Sequence, residues 1–318
     1  MVTVAESVLL KSDRLRLWLL SLVIIFSGIF IGLPVVNVLI AFGALIGLVL
    51  FSVRYRYPFM LLVCIMALAG CALIYGTAVA AIFGYLALLP GVIMGYKART
   101  YSTPFSIILW GFLPFLVPLA LIVVYYSQII SIIPSLISDM QATVQQGAML
   151  MGVSSGQVQQ MLEFVEKALP WFVRLLPGIL FTMFLALVFF SYASASSAAA
   201  SFGAVLPRMT PLYFWQAHDL WLVPTGLSLL FVLIGGHWLK IIGENALVFF
   251  IHFYAFYGLC VVDYYLREIN IPIVIRLVVY LFIILVVVIV IPVLAVIGLA
   301  DSRFDFRKLG LAANSSKN

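Results

Sequence analysis

The sequence predicts an all-α fold, a polytopic transmembrane helical bundle, on three observations. Apolar residues make up 65% of the 318 and charged residues only 9%, mean hydropathy is +1.24, and the apolar residues fall in runs near the 20 or so that cross a hydrocarbon core. A water-soluble domain carries roughly 25% charged residues, so the surface of this chain is built to meet lipid. The formal charge is +6, but the 17 Lys and Arg sit in short clusters between apolar runs. That distribution marks topology rather than an anionic partner. The bilayer is the expected partner, and nucleic-acid binding is excluded.

Nine runs qualify as spans: 17–33, 35–53, 58–75, 77–95, 104–126, 171–192, 219–239, 243–265 and 273–299. The first four are short, joined by Gly32-Leu33-Pro34, Arg54-Tyr55-Arg56 and Gly76-Thr77, and form two tight hairpins. If all nine cross, Lys11, Arg14, Arg16, Arg54, Arg56, Lys97, Arg99, Arg208, Arg267 and Arg276 fall on one side, the expected cytoplasmic one. The other side up to residue 300 receives Lys167, Arg174 and Lys240 with Asp139, Glu163, Glu166 and Glu244. Nine spans place the basic tail Arg303, Arg307 and Lys308 outside, whereas eight keep it inside. The N-terminus is expected in the cytoplasm of a bacterial inner membrane. Its basic start and apolar run lack a small-residue cleavage site, which predicts an uncleaved first span.

Four segments follow: a five-span bundle over 1–126, an extracytoplasmic amphipathic segment over 127–170, a four-span bundle over 171–300 and a polar tail over 301–318. Within 127–170, Ser154-Ser155-Gly156-Gln157 matches a capping box and predicts a helix start. Val158, Met161, Leu162, Val165 and Leu169 then recur on one helical face. This predicts an interfacial helix, paired with another near 136–149, that serves as a connector or as a lid over an outward cavity. The Ser- and Ala-rich stretch Ser191 to Thr210 is expected as a cytoplasmic loop. Cys64, Cys71 and Cys260 lie inside apolar runs without metal-ligand spacing and are expected to pack.

Asp inside a span costs roughly 2.5–3.5 kcal/mol even on insertion scales, so polar residues within the runs are the candidates for function. In the eighth span Asn245, His252 and Asp263 are seven and eleven residues apart, which at about 100° per residue aligns them within about 20°. Phe249 and Phe256 join that stripe. One reading is end-hydration of Asn245 and Asp263 around a packed His252. The other is a ligand-binding stripe on a solvated cavity. Asn37 is expected to bond a neighbouring helix, Arg174 to snorkel to the interface, and His218-Asp219, beside Trp215 and Trp221, to belong to an aromatic belt.

Gly28 and Gly32, Gly43 and Gly47, and Gly91 and Gly95 are each four apart, a spacing that lets backbones approach closely in lipid. They predict helix packing in the first four spans. No P-loop, His-Glu-x-x-His, Gly-x-Ser-x-Gly or paired intramembrane carboxylates occur. No catalytic residue, metal or cofactor is therefore expected, and ATP-driven work would need another subunit.

Four stretches carry a resemblance: Leu89-Pro90-Gly91-Val92-Ile93-Met94-Gly95-Tyr96-Lys97, the polar segment before Pro170-Trp171, the Asn245 span with Tyr257-Gly258-Leu259, and Gly298 through Asp301-Ser302-Arg303-Phe304-Asp305-Phe306-Arg307-Lys308. Together they resemble the YybS-type family of bacterial membrane proteins of unknown function, with Tyr257 departing from an expected Gln. More loosely, the short hairpins and the basic end of the fourth span resemble substrate-capture subunits of energy-coupling-factor transporters. Those bundles bind small molecules from outside and borrow a partner's ATPase. The expected function is small-molecule recognition or transport without an ATPase of its own, with a possible ATPase or membrane partner subunit. A non-catalytic scaffold of an envelope or division complex is the alternative.

Overall fold

A computed structural model describes residues 15–28, 37–100, 102–135, 137–138 and 155–308. It is 88% helical, with no strand among the described residues. Six helices there are long and apolar enough to cross a membrane, and four more are apolar but shorter. The nine expected runs map onto these ten because the last run divides into two helices.

The chain forms two compact units, 1–117 with 183–209, and 118–182 with 210–318. The first holds α1 (Leu15–Gly28), α2 (Asn37–Arg54), α3 (Tyr57–Tyr75), α4 (Thr77–Phe83), α5 (Leu89–Arg99), α6 (Pro104–Phe112) and the end of α9 (Ser155–Ala198). Prolines shape its long helices. Between α4 and α5, residues Gly84–Leu88 widen into a π-turn just before Pro90, whose ring cannot sit over the carbonyl four residues back. Pro118 in α7 (Leu116–Val124) has no N–H to give the carbonyl of Pro114, and the hydroxyl of Tyr85 donates to that carbonyl instead, at 2.6 Å.

Of the expected glycine pairs, Gly91 and Gly95 form the groove in which α5 lies on α2. A Cβ on Gly91 would stand 2.9 Å from Leu48, and one on Gly95 would strike Ser52. Gly28 is pressed on the backbone of Ala67 and Gly47 on Ile24, whereas Gly43 meets no atom within 4 Å. Gly43 is thus no packing residue among the described ones, and Gly32 and the side chain of Asn37 lie outside them. Arg99 closes α2 by donating to the carbonyls of Ser52 and Tyr55. These are groups a helix C-terminus leaves free, and a cation is favoured there.

The loop expected over Ser191–Thr210 is overturned for its first part, 191–202, while 203–210 run without helix. Helix α9 continues to Ala198, a 3₁₀ turn follows at Ala199–Phe202, and Ser191, Tyr192 and Ala195 are fully buried. Alanine is the best helix former, and small side chains let this stretch pack. Tyr192 and Ser196 then bind the returning chain by donating to the Pro207 carbonyl at 2.8 and 3.2 Å.

The division expected at 170 is likewise replaced by continuity, since α9 is one helix of 44 residues with Pro170 and Pro177 inside it. At 1.5 Å per residue it is about 66 Å long, twice a hydrocarbon core. Its early apolar face is real: Val158 and Leu162 are buried, and Val165 and Leu169 half-buried. The partner helix expected near 136–149 falls almost wholly outside the described residues.

The second unit contains the start of α9, α7, α8 (126–135), α10 (Leu222–Ile234), α11 (His237–Glu268), α12 (Ile273–Leu285) and α13 (Val287–Phe304). Helix α10 ends at Ile234, five residues sooner than expected, and after Gly235-Gly236 α11 starts at His237, as a glycine pair favours a break. The run 273–299 breaks at Val286. Six β-branched residues, Val286 to Ile291, precede Pro292 there and weaken the helix. Helix α13 lies on α11 through reciprocal glycines, Gly258 against the backbone of Leu294 and Gly298 against the backbone of Tyr254.

Cys64, Cys71 and Cys260 are free and buried.

Candidate functional site

In the second unit, α9 and α11 run parallel, with Arg174 beside Glu244, Gly178 beside Asn245 and Phe181 beside Phe249. Pro177 lies inside α9 at this crossing and has no N–H to give the carbonyl four residues back, and Asn245 binds the backbone on either side of it. Its Oδ1 accepts from the Gly178 N–H at 2.7 Å, and its Nδ2 donates to the Arg174 carbonyl at 3.0 Å and to its own Ile241 carbonyl at 2.9 Å. Gly178 N–H and Arg174 C=O are the pair an uninterrupted α-helix bonds to each other. One amide thus ties this turn of α9, on both sides of Pro177, to α11. Gly178 permits this approach, because a Cβ there would stand 2.6 Å from the Asn245 carbonyl oxygen.

Arg174 does more than snorkel: its Nε contacts Glu244 Oε2, with the two side chains 21% and 10% exposed. An ion pair with little water around it holds only where the partners match closely, and both residues are adjacent to the Asn245 bridge.

The remaining stripe residues have partners of their own. Phe249 meets Phe181 edge-on at 5.3 Å and Phe256 meets Trp215 edge-on at 6.2 Å. The Nδ1 of His252 lies 2.7 Å from the Val248 carbonyl, so this nitrogen carries the proton and donates within its own helix. Asp263 accepts from Arg267 Nε at 2.9 and 3.0 Å and from the Tyr280 hydroxyl, joining α11 to α12. Asn245 and Asp263 are therefore separate clasps about 27 Å apart along α11. Nearly the thickness of a hydrocarbon core lies between them, with His252 and the phenylalanines in that interval.

A second charged cluster was not legible as a site. Arg307 and Asp301, 0% and 1% exposed, pair at 2.6 Å. The remaining donors of Arg307 reach the Tyr213 and Trp215 carbonyls at 2.8 and 2.7 Å, and Gln216 donates to the Asp301 carbonyl at 2.9 Å. Asp301 to Lys308 is thus a folded helix end where the start of a polar tail was expected. The available signal was charge directly continuing an apolar run. Cavities of about 400 and 380 Å³ flank this end of α11, one lined by Val261, Tyr265, Ile297 and Phe306, the other by Tyr213, Tyr264, Arg267 and Glu268.

His218 caps a short turn by accepting from the Leu220 N–H, and Asp219 pairs with Arg303 at 3.7 Å. Among the described residues no three of His, Cys, Asp and Glu gather as a metal set.

Replacing Asn245 with Leu removes the side-chain partner of the Gly178 N–H and the Arg174 carbonyl. The expected loss is about 1–3 kcal/mol, read as a lowered unfolding midpoint of the detergent-solubilised protein.

Apolar helices with polar groups paired at their crossings define a multi-pass membrane protein. The family model described as "Predicted membrane protein (DUF2232)" matches residues 20–302, and the chain belongs to that family. No curated protein and no solved structure matches it.

Proposed function

We propose that this protein recognises or moves a small molecule across a bacterial inner membrane, with its N-terminus in the cytoplasm. In this reading it catalyses no reaction itself and takes energy from a partner subunit. The observation that carries it is the Asn245 bridge. Spanning helices that carry an internal proline, with backbone groups answered by side chains, suit binding sites and gates. The charged residues beside it support the reading, because ionisable groups in spans are retained where they serve a pathway or a ligand. The YybS-type likeness and the looser one to energy-coupling-factor capture subunits agree with it.

Native mass spectrometry of the full-length protein, released from detergent, tests this. A small-molecule adduct that Asn245→Leu loses, together with an ATPase subunit, is the expected result. Bound cell-wall or division proteins with no small-molecule adduct would favour the scaffold reading, for which the rigid Asp301–Arg307 helix end is the supporting feature.

A further inference from the structure

We infer that Arg174 anchors a phosphoryl anion at the α9–α11 crossing, which rests on reading that crossing as a recognition site. Arg174 Nε lies against Glu244 Oε2 as an ion pair, but neither of these atoms nor the buried Nη2 has a hydrogen-bond partner among the described residues. A guanidinium presents its donors as a planar fork that fits two oxygens of one phosphoryl group. The anion takes the Nη edge while Nε stays with Glu244.

Two further observations point the same way. The exposed indole of Trp171 lies 5.7 Å from the guanidinium, and tryptophan collects at headgroup depth, where phosphoryl groups are densest. Lys167 stands about two turns before Arg174 and Lys240 about one turn before Glu244, both exposed. Because the helices are parallel, both lysines lie toward the same end of the crossing. They and Arg174 are the three basic residues before residue 300 expected on the extracytoplasmic side, and they gather at this crossing. Exposed Glu163 and Glu166 share this part of α9. Glu163 is engaged by Gln159 at 3.3 Å.

The phosphoryl group belongs to a lipid headgroup or to a soluble phosphate ester, and the test separates them. Full-length protein in dodecyl maltoside is titrated with phosphatidylglycerol or with inorganic phosphate at constant ionic strength, and the unfolding midpoint is followed. At least one probe is expected to raise it saturably. Arg174→Gln/Glu244→Gln, which removes both charges together and leaves no buried carboxylate alone, is expected to weaken that response tenfold or more. A response to the lipid alone assigns a headgroup; saturation by phosphate as well assigns a soluble ester.

The inference is overturned if neither probe acts on the wild type, or if the double variant responds as the wild type does. Should the double variant not fold, Trp171→Leu is the deciding variant, and an unweakened response in it has the same force. A co-purifying ligand without phosphorus would sink the phosphoryl assignment while leaving small-molecule recognition standing.

Discussion

Arg307→Ala is expected to destabilise the folded protein by about 3–5 kcal/mol, the loss that follows when one member of a buried ion pair is removed. Asp301 is 1% exposed and receives two donors from Arg307, so the truncation leaves a carboxylate without its countercharge and without water. The Tyr213 and Trp215 carbonyls lose their donors as well. Heating the detergent-solubilised variant should show a midpoint many degrees below that of the wild type. Arg307→Met combined with Asp301→Leu should recover much of the difference, since an apolar pair removes the stranded charge. An unchanged midpoint for Arg307→Ala would mean that the helix end is solvated in the membrane-bound protein.

Gly298→Val is expected to abolish the α11–α13 packing. A Cβ at Gly298 would overlap the Tyr254 carbonyl, and one at Gly258 would overlap that of Leu294. Both obstacles are backbone, which cannot rotate away as a side chain would, so the effect should reach or exceed the upper end of the roughly 1–3 kcal/mol typical of overpacking. Gly258→Val should act alike, and the double variant should fall short of additivity because both break one interface. Gly43→Ala, facing open space, should stay within about 0.5 kcal/mol. Folded yield on size-exclusion chromatography and the unfolding midpoint discriminate these outcomes. A Gly298→Val variant as stable as Gly43→Ala would disprove the crossing.

Legibility followed the range of the interaction. The packing of Cys64, Cys71 and Cys260, the apolar face of Val158 and Leu162, and the close approach at Gly91 and Gly95 were readable because each depends on a residue and its immediate helical neighbours. Asn245 was readable as a suspect, since a polar side chain in an apolar run is expensive, but its role was not: its partners are 67 and 71 residues earlier in the chain. The stripe shared with His252 and Asp263 is a true helical face, yet each member is engaged by a different neighbour. Ser191 to Ala198 misled because small residues favour loops in water and close helix packing in lipid, and composition does not distinguish the two.

Taken alone, the sequence determined the solvent and hence the class of structure. Apolar runs of these lengths leave their peptide groups no partner in hydrocarbon except those within the same segment, and that requires helices. The tertiary structure alone decided which polar groups are answered and by what: Asn245 beside Pro177, Tyr85 for the Pro114 carbonyl, Arg307 for Asp301. Periodicity specifies the face a residue lies on, whereas the partner across a crossing is selected by how helices far apart in sequence pack, and no local pattern encodes that.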